Sequence, residues 1–284
     1  MQTAARALGV NQSTVQRRIA ELEACVGHRL VERHLGGYRL TELGEQLRSA
    51  AEGVEVAVAA FERQLAASDR GVTGTVRLTC GSGLASRLQR TPLIDAFHAR
   101  HPALQVELVS SDRFLDLSKG EADIAIRLGE PKDEALVGRK IADASWSVYA
   151  SRTYVERHGR PHNVEDLNCH LILGCDGPIA NYPGAQWLRS AAPHARVATR
   201  NDNWQGLMLA LKAGAGLAAL PHWQGDNESE LVRVIENTGL VLPYYLLMHR
   251  DMQHTPRVRA FADFVASEIK SFRALVSGGN LTDT

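Results

Sequence analysis

The chain has 284 residues, of which 44% are hydrophobic and 23% charged, an ordinary globular composition. Its 32 basic and 32 acidic residues cancel, and with four scattered cysteines the composition excludes collagen, low-complexity disorder and a disulfide scaffold. No run approaches the roughly 20 apolar residues that span a bilayer, and the first residues lack a secretory-signal pattern, so we expect a cytoplasmic protein with reduced thiols.

Two short helices joined by a tight turn are predicted at the start of the chain. The first covers residues 3–10 and is closed by Gly9, and the second covers residues 14–25, with Ser13 placed to cap it. Such a pair forms a helix-turn-helix, whose second helix enters the major groove of DNA. Residues 1–40 carry six arginines and three glutamates, a net charge of +3 that suits contact with phosphates. A purely structural helical hairpin is the alternative.

Polar side chains gather at the start of the second helix, whereas Val15, Ile19 and Leu22 lie at helical spacing on its other face and are predicted to be core. Glutamine and arginine form bidentate hydrogen bonds with adenine and guanine. Strands on either side of residues 34–37 are predicted to form a wing whose arginines reach phosphates. The predicted DNA contacts are Asn11, Gln12, Ser13, Thr14, Gln16, Arg17, Arg18, Arg33 and Arg39.

Residues 41–67 are predicted to form one long helix that is capped by Thr41. We expect its apolar stripe to pair two copies of the chain, and packing on the chain's own C-terminal part is the alternative. Residues 68–71 and Gly74 then mark a linker. The apolar residues recur at steps of three and four, as in a heptad repeat: Leu43, Leu47, Ala50, Val54, Ala57, Phe61 and Leu65.

From residue 75 on, predicted strands alternate with helices, a pattern typical of an α/β fold with a parallel sheet. The first set has strands at 75–80, 104–110 and 123–127, with helices at 84–100 and near 113–119. The second set has strands at 171–173, 195–199 and 217–220, a helix at 204–213, a strand at 246–249 and a closing helix at 256–276. Two lobes joined near 148–150 and 246–249 would enclose a cleft suited to a small ligand.

Two positions at predicted strand ends are candidates for binding an anion. At residues 81–83 the backbone amides and the Ser82 hydroxyl form a candidate anion site, with a plain tight turn as the alternative. This segment matches neither the dinucleotide-binding GxGxxG pattern nor the GxSxG nucleophile elbow. Arg127 ends a predicted parallel strand, where it either pairs with a ligand carboxylate or faces solvent. Trp146 and Trp187 are placed to line the cleft or, more commonly, to be core.

The sequence gives no basis for catalysis or metal binding. The eleven histidines are dispersed, and Cys169, His170 and Cys175 are too sparse for tetrahedral zinc. No nucleophile stands in a pattern with a base and an orienting residue. We therefore expect no catalytic residue, no metal and no cofactor, and the protein is not predicted to be an enzyme.

The chain resembles the LysR-type transcriptional regulators. Their winged helix-turn-helix and linker helix are similar to the run AARALGVNQSTVQRRIAELEACVGHRLVERHLGGYRLTELGEQL. The similarity continues through AFHARHPALQVEL, LSKGEADIAIRLG, SRTYVERHGRPHNVEDL, ALKAGAGLAALP and TPRVRAFADFV, and so covers nearly the whole chain. Two departures stand out. The family has a further helix before Thr3, and Gln16 stands where members often carry serine, so we expect a different operator preference.

This resemblance implies a sequence-specific regulator with a two-lobed, periplasmic-binding-protein-like effector domain that binds a small anionic metabolite. The partners it implies are double-stranded DNA, the effector, a second chain paired through the linker helix, homotetramers and RNA polymerase, but no membrane. The residues expected to contact the effector are Gly81, Ser82, Gly83, Arg127, Asn201 and, at the border of the cleft, Pro221. At Asn201-Asp202-Asn203 the structural alternative is a helix cap.

The expected domains are a partial winged helix-turn-helix at 1–40, a linker helix at 41–70 and an effector-binding domain at 75–284. Within the last, lobe 1 would comprise residues 75–148 and 249–276, and lobe 2 residues 149–248. Two other functions fit a two-lobed architecture. One is a transport receptor for solutes, which predicts a signal peptide and no helix-turn-helix. The other is a metabolite-binding protein that does not bind DNA.

Overall fold

The computed structural model describes residues 2–34, 37–68, 72–131 and 133–277. The chain divides into two compact units, Met1–Phe61 and Glu62–Thr284. The elements that begin in the first unit are α1 (Gln2–Ala7), α2 (Gln12–Val26), β1 (Val31–His34), β2 (Gly37–Leu40) and α3 (Glu42–Ser68). Among the described residues, no helix has both the length and the apolar character needed to cross a membrane.

The turn between α1 and α2 is held by Asn11, which caps α2. Asn11 has an extended backbone, and its Oδ1 accepts a hydrogen bond from the Thr14 amide at 3.0 Å. The prediction that Ser13 is the cap is wrong, because Ser13 lies in the first turn and its hydroxyl donates to Asn11 Oδ1 at 2.8 Å. The helix ends at Gly27, whose φ of 74° lets its amide bond to the Glu23 carbonyl.

The apolar face of α2 is covered along only part of its length. Val15 and Ala5 of α1 are buried, and Ile19 is half-buried. Leu22 is 52% exposed, so the prediction that it belongs to the core is wrong. The reason is geometric: α1 has six residues and is about 9 Å long at about 1.5 Å per residue, less than half the length of the 15-residue α2.

The antiparallel pair of β1 and β2 forms the predicted wing. Leu35 and Gly36, in its connection, lie outside the described residues. Glu23 of α2 fixes the wing, because its Oε1 accepts hydrogen bonds from the amides of Val31 and Leu30 at 3.0 and 2.7 Å. These hydrogen bonds lower the pKa of Glu23. The orientation of the wing relative to α2 is therefore set by a carboxylate that is ionised at neutral pH.

The long helix α3 is continuous and begins at the predicted cap, since Thr41 Oγ1 accepts from the Gly44 amide at 3.1 Å. A Cβ on Gly44 would lie 2.3 Å from the Leu30 carbonyl oxygen, so only glycine permits this close approach. Along the predicted apolar stripe, Val54 and Phe61 are 64% and 62% exposed in the single chain. The stripe thus presents exposed apolar side chains at these two positions, and the side chain of Leu65 lies outside the described part of the chain.

The second unit alternates strands and helices as predicted. Its strands are β3 (Gly74–Cys80), β4 (Leu104–Ser110), β5 (Ile124–Leu128), β6 (Leu136–Ser151), β7 (Leu171–Cys175), β8 (Arg196–Asn201), β9 (Ala218–Pro221), β10 (Leu231–Ile235) and β11 (Val241–His249). Its α-helices are α4 (Ser82–Leu88), α5 (Leu93–Arg100), α6 (Arg152–His158), α7 (Pro183–Ala191), α8 (Trp204–Lys212), α9 (His222–Gly225), α10 (Pro256–Ser267) and α11 (Ile269–Ser277).

Strands β6 and β11 connect two lobes. The main sheet has the order β10-β6-β11-β5-β3-β4, in which β3 is parallel to β4 and β5, while β11 is antiparallel to both β5 and β6. Residues 136–145 of β6 pair with β11, and residues 146–151 pair with β9 and β10 instead. We use lobe 1 for the side of β3, β4, β5 and β11, and lobe 2 for the side of β7 to β10. The domain and lobe limits given above stay predictions.

Each lobe has an apolar core of its own. In lobe 1 the ring of Phe97 packs edge-on against Phe261 and Phe264, with centroids 5.1 and 5.3 Å apart. In lobe 2 the parallel pair of β7 and β8 packs against α7 and α8, with Leu188 and Leu211 fully buried. Separate cores leave the surface between the lobes free to form a cavity.

Three helix predictions in the second unit are wrong in part. The helix predicted at 84–100 is divided into α4 and α5, because Pro92 has no amide hydrogen and caps α5. The helix predicted at 256–276 is divided at Glu268 into α10 and α11. No helix forms near 113–119. There Asp116 Oδ1 accepts from the amides of Ser118 and Lys119, and such local bonds compete with helical ones.

Candidate functional sites

A cavity of about 340 Å³ lies between the two lobes of the second unit. Its lining comes from the ends of β3 and β5 and the loop after β4 in lobe 1, and from the start of α8 and the segment before α7 in lobe 2. Aromatic rings provide much of this surface: Phe114, Tyr182, Trp204, Trp223 and Tyr244. A cavity of this volume, lined by aromatic rings together with polar and charged side chains, is typical of a site for a small organic molecule.

Four of the six predicted effector contacts line this cavity: Gly81, Ser82, Gly83 and Arg127. Asn201 and Pro221 do not. The Asn201 side chain donates to the Gly174 carbonyl at 3.5 Å, and Pro221 is buried in β9, where it pairs with Trp146 of β6. Trp146 is itself a core residue. The six assignments stay predictions, but only the first four lie where a ligand in the cavity could contact them.

Asp112 occupies the predicted anion site at residues 81–83. Its Oδ1 accepts hydrogen bonds from the Ser82 hydroxyl at 2.6 Å and the Ser82 amide at 3.3 Å. Its Oδ2 accepts from the Trp204 amide, at the start of α8, at 2.8 Å. The sequence reasoning missed this residue, although an acidic side chain just after a parallel strand is a signal for the ligand-binding edge of a sheet.

Arg127 is the cationic group of the cavity that has no direct ion pair in the described chain. It is half-buried, and burial of the guanidinium lowers its pKa. Its Nη2 donates to the Leu115 carbonyl, and its Cζ lies 5.0 Å from the centre of the Phe114 ring, a cation–π contact. The carboxylates of Asp116, Glu121 and Asp133 favour its charged form from a distance, but within the described part of the chain none of them forms an ion pair with it. The remaining guanidinium donors are suited to a ligand anion.

The other arginine of the cavity is already neutralised. Arg113 donates from Nη1 and Nη2 to the two carboxylate oxygens of Glu121, at 3.0 and 2.7 Å. These hydrogen bonds raise the pKa of Arg113 and lower that of Glu121. The pair fixes the loop that carries Asp112 and Phe114. We therefore regard Arg113 as a residue that positions the loop.

Three further lining residues were not predicted: Cys80, Trp204 and Gln224. Trp204 is 7% exposed, and its Nε1 has no hydrogen-bond acceptor among the described residues. Gly83 lies directly against it, because a Cβ there would be 2.9 Å from Trp204 Nε1 and 2.6 Å from Gln224 Nε2. Cys80 is also buried, and burial raises the pKa of its thiol to about 12. Such a thiol stays protonated and is poorly reactive.

Over residues 2–34, 37–68, 72–131 and 133–277, no three histidine, cysteine, aspartate or glutamate side chains are close enough together to hold a metal ion. Cys25 and Cys169 are exposed free thiols, and Cys80 and Cys175 are buried ones.

The predicted DNA contacts lie on α2 and the wing of the first unit. Thr14 is half-buried, and the other predicted contacts are exposed: Asn11, Gln12, Ser13, Gln16, Arg17, Arg18, Arg33 and Arg39. Asn11 is committed to capping, since its Oδ1 accepts three hydrogen bonds. Gln16 donates to the Tyr38 hydroxyl at 3.3 Å, which links the helix to the wing.

Two of the arginines in this group have acidic neighbours. The Nε of Arg39 lies 2.5 Å from Glu32 Oε1, and the Nε of Arg17 lies 3.9 Å from Glu21 Oε1. Both pairs are well exposed, so they are weak and can exchange for phosphates or base edges. Arg18 and Arg33 are exposed as well. The arrangement gives one polar, cationic surface that continues from the start of α2 to the wing.

A winged helix-turn-helix, a long helix and a two-lobed α/β unit with an internal cavity together define a DNA-binding regulator with a substrate-binding domain. Comparison with known families agrees. Residues 69–270 match the family model described as "LysR substrate binding domain", and residues 1–45 match "Bacterial regulatory helix-turn-helix protein, lysR family". The chain belongs to the LysR family of transcriptional regulators. The predicted family and fold class are therefore confirmed.

Individual relatives support the same assignment along the full chain. The HTH-type transcriptional regulator CrgA of Neisseria meningitidis serogroup C is 28% identical over 278 residues, which cover 94% of this chain and 91% of CrgA. A solved structure of CrgA from Neisseria meningitidis is similar with a TM-score of 0.59 at 26% identity, covering 94% of this chain and 93% of that one. Full-length CbnR, solved in complex with its target DNA, has a TM-score of 0.58 at 21% identity, with coverage of 94% and 93%, and shares the fold.

Proposed function

We propose that this LysR-type regulator binds a small molecule with one anionic group in the cavity between its lobes, and that the ligand changes how the protein binds DNA. The observation that carries the proposal is the arginine of the cavity. Arg127 is half-buried, faces an otherwise largely aromatic lining and has no ion-pair partner in the described chain. A guanidinium in such a site loses hydrogen bonds to water. Charge-assisted hydrogen bonds to a ligand carboxylate or phosphate would take their place.

The ligand would act by shifting a conformational equilibrium. Both lobes line the cavity, and β6 and β11 connect them, so a ligand that contacts both walls favours one arrangement of the lobes. In an oligomer, that arrangement sets the spacing of the DNA-binding units. The coupling is reciprocal, so DNA must change ligand affinity by the same factor.

DNA recognition would come from the exposed start of α2 in the major groove, with the wing on the phosphates. Gln12, Gln16 and Arg17 are the exposed side chains on α2 that can form bidentate hydrogen bonds to bases. Arg33 and Arg39 of the wing are suited to phosphates. CbnR, which shares the fold, has been solved with its target DNA, and this likeness supports the same use of the first unit here.

The exposed apolar stripe of α3 supports the proposal that two chains pair through this helix. Val54 and Phe61 would become buried between the two copies, as in other helices with a heptad-like repeat. Assembly of such dimers into tetramers, contact with RNA polymerase and a cytoplasmic location complete the proposed role. In this role the protein acts by binding and has no catalytic step.

A DNA-binding titration tests the function. The full chain would be titrated against a labelled fragment of the DNA upstream of its own gene and against a scrambled fragment of equal length, at fixed salt, because affinity depends strongly on salt. Each titration would be repeated in the presence of acetate, benzoate, succinate or phthalate, each at about 5 mM. We expect selective binding that at least one monocarboxylate changes. Equal affinity for both fragments would favour the alternative, a metabolite-binding protein that does not bind DNA.

A further inference from the structure

Asp112 joins lobe 1 to lobe 2 through a single side chain. It lies in the loop after β4, and its Oδ1 accepts from the hydroxyl and amide of Ser82 in lobe 1, at 2.6 and 3.3 Å. Its Oδ2 accepts from the amide of Trp204 in lobe 2 at 2.8 Å. Both carboxylate oxygens are therefore engaged, one by each lobe.

The donors that Asp112 engages are those that a ligand carboxylate would need. They comprise one hydroxyl and two backbone amides, and the amide of Trp204 begins the nine-residue helix α8, whose dipole favours negative charge. All three residues of this arrangement line the cavity: Ser82, Asp112 and Trp204. A second carboxylate at this place would compete for the same donors and would be repelled by the first.

The indole of Trp204 gives a second, independent sign of a ligand at this place. Trp204 lines the cavity, and its buried Nε1 has no acceptor among the residues that the structure describes. A buried donor without an acceptor is unfavourable. A neutral oxygen of a ligand, in a carbonyl or hydroxyl group, would satisfy this donor without displacing Asp112.

We propose that Asp112 is the specificity-determining residue of the cavity. As a built-in carboxylate it holds the lobes together and excludes ligand anions from Ser82 and the Trp204 amide, which directs the anionic group of the ligand to Arg127. The part of the ligand that meets Trp204 is then an uncharged oxygen acceptor. The ligand class is a compact monoanion with an apolar body. This inference rests on the proposed function, in which the cavity is the effector site.

Chemical rescue by formate tests the role of the carboxylate. In the full-length Asp112→Ala variant, formate has room to occupy the vacated position and to accept the same three hydrogen bonds. The matched control is Asp202→Ala, which removes an exposed carboxylate two residues before α8 that accepts a hydrogen bond from the neighbouring Asn203 side chain. Sodium formate would be compared with sodium chloride at equal ionic strength, with the thermal midpoint and the amide resonance of Trp204 as readouts.

We expect formate to raise the thermal midpoint of Asp112→Ala and to shift its Trp204 amide resonance in a saturable manner with a dissociation constant in the millimolar range. The wild type and Asp202→Ala should respond to formate as they do to chloride. The same response to both salts in Asp112→Ala would overturn the proposal, and so would saturable formate binding at the Trp204 amide of the wild type.

A gentler variant keeps the test decisive if Asp112→Ala does not fold. Asp112→Asn retains the shape but its single oxygen can accept from only one lobe, so hydrogen exchange should accelerate about tenfold or more at the amide of Ser82 or of Trp204, whichever loses its acceptor, with Asp202→Asn unchanged at both. Unchanged exchange in Asp112→Asn would overturn the proposal. Neither readout uses DNA or the native ligand. A failure here would leave the proposed control of DNA binding intact, and a failure of that control would leave these results intact.

Discussion

Gly83 of α4 and Trp204 of α8 are in such close contact at the wall of the cavity that a Cβ on the glycine would lie 2.9 Å from the indole Nε1. The same Cβ would lie 2.6 Å from the Gln224 side-chain nitrogen. Gln224 is flexible and can move away, whereas Trp204 is buried in the core of lobe 2 and cannot. Glycine is therefore required at position 83 because α8 comes very close to α4 there, and not because the backbone angles of this residue demand it.

The Gly83→Ala variant should be destabilised by about 1–3 kcal/mol, because overpacking at a buried contact forces a rigid side chain to shift. Urea denaturation followed by tryptophan fluorescence would measure this. Gly81→Ala is the matched control two residues away, since a Cβ there meets nothing within 4 Å and its φ is −59°. We expect the control to lose less than about 0.5 kcal/mol of unfolding free energy. Equal losses in the two variants would contradict the contact between Gly83 and Trp204.

Replacing Arg127 should weaken the binding of any carboxylate that changes DNA binding by the wild type. Charge-assisted hydrogen bonds contribute about 1.5–3 kcal/mol, so Arg127→Ala should raise the dissociation constant by about 10- to 150-fold in calorimetry. The control is Arg139→Ala, which removes an exposed cation on β6 that does not line the cavity. If both variants lose affinity equally, the anion is attracted by general charge and not bound by Arg127.

The elements whose sequence pattern is local could be predicted from the sequence alone. The cap at Thr41 and the strands β3 and β4 follow from side-chain types and periodicity over a few residues. The helix predicted near 113–119 does not form, because hydrogen bonds to polar side chains replace the helical ones there. Glu121, for example, accepts a hydrogen bond from the Asp116 amide. That competition involves residues five apart and leaves no trace in hydrophobic spacing.

The cavity could be predicted only in part. Ser82 and Arg127 were found because each follows or ends a strand of a parallel sheet, where ligands bind. Asp112 follows a parallel strand and could have been found from the sequence, whereas its contact with Trp204 joins residues 92 positions apart, and one chain carries no signal for such a pair. The exposure of Leu22 was missed for a related reason, since helical periodicity shows which face is apolar but not what covers it.

For DNA binding, Arg17→Ala should lose about 1–3 kcal/mol of specific affinity if Arg17 contacts a base. Fluorescence anisotropy with the upstream fragment and a scrambled fragment would show a fall of about 5- to 150-fold for the first and a much smaller fall for the second. Glu21→Ala is the control, because it removes the ion-pair partner of Arg17 and leaves the arginine free. A variant Arg17→Ala that keeps its selectivity between the fragments would show that Arg17 contacts only phosphates.

Pairing through α3 should be sensitive to charge on the apolar stripe. Val54→Asp would place a carboxylate in the buried seam between two helices, where it lacks a partner, so the dimer should dissociate at micromolar concentrations. Ser49→Asp is the control, since Ser49 is exposed on the same helix but off the stripe. Analytical ultracentrifugation of both variants would measure the change. If neither variant dissociates, the stripe does not form the seam between the two chains.

The ion pair of Glu121 with Arg113 predicts a dependence of stability on pH. The hydrogen bonds from Arg113 lower the folded-state pKa of Glu121 below its ordinary value of 4.5. A carboxylate with a lowered pKa stabilises the fold fully above its ordinary pKa, and this contribution is lost as the pH falls through the folded-state pKa. The thermal midpoint of the wild type should therefore fall more steeply below about pH 4.5 than that of Glu121→Gln. Glu134→Gln, which removes an exposed carboxylate, should follow the wild type. Parallel pH profiles for Glu121→Gln and the wild type would show that this pair does not contribute to acid unfolding.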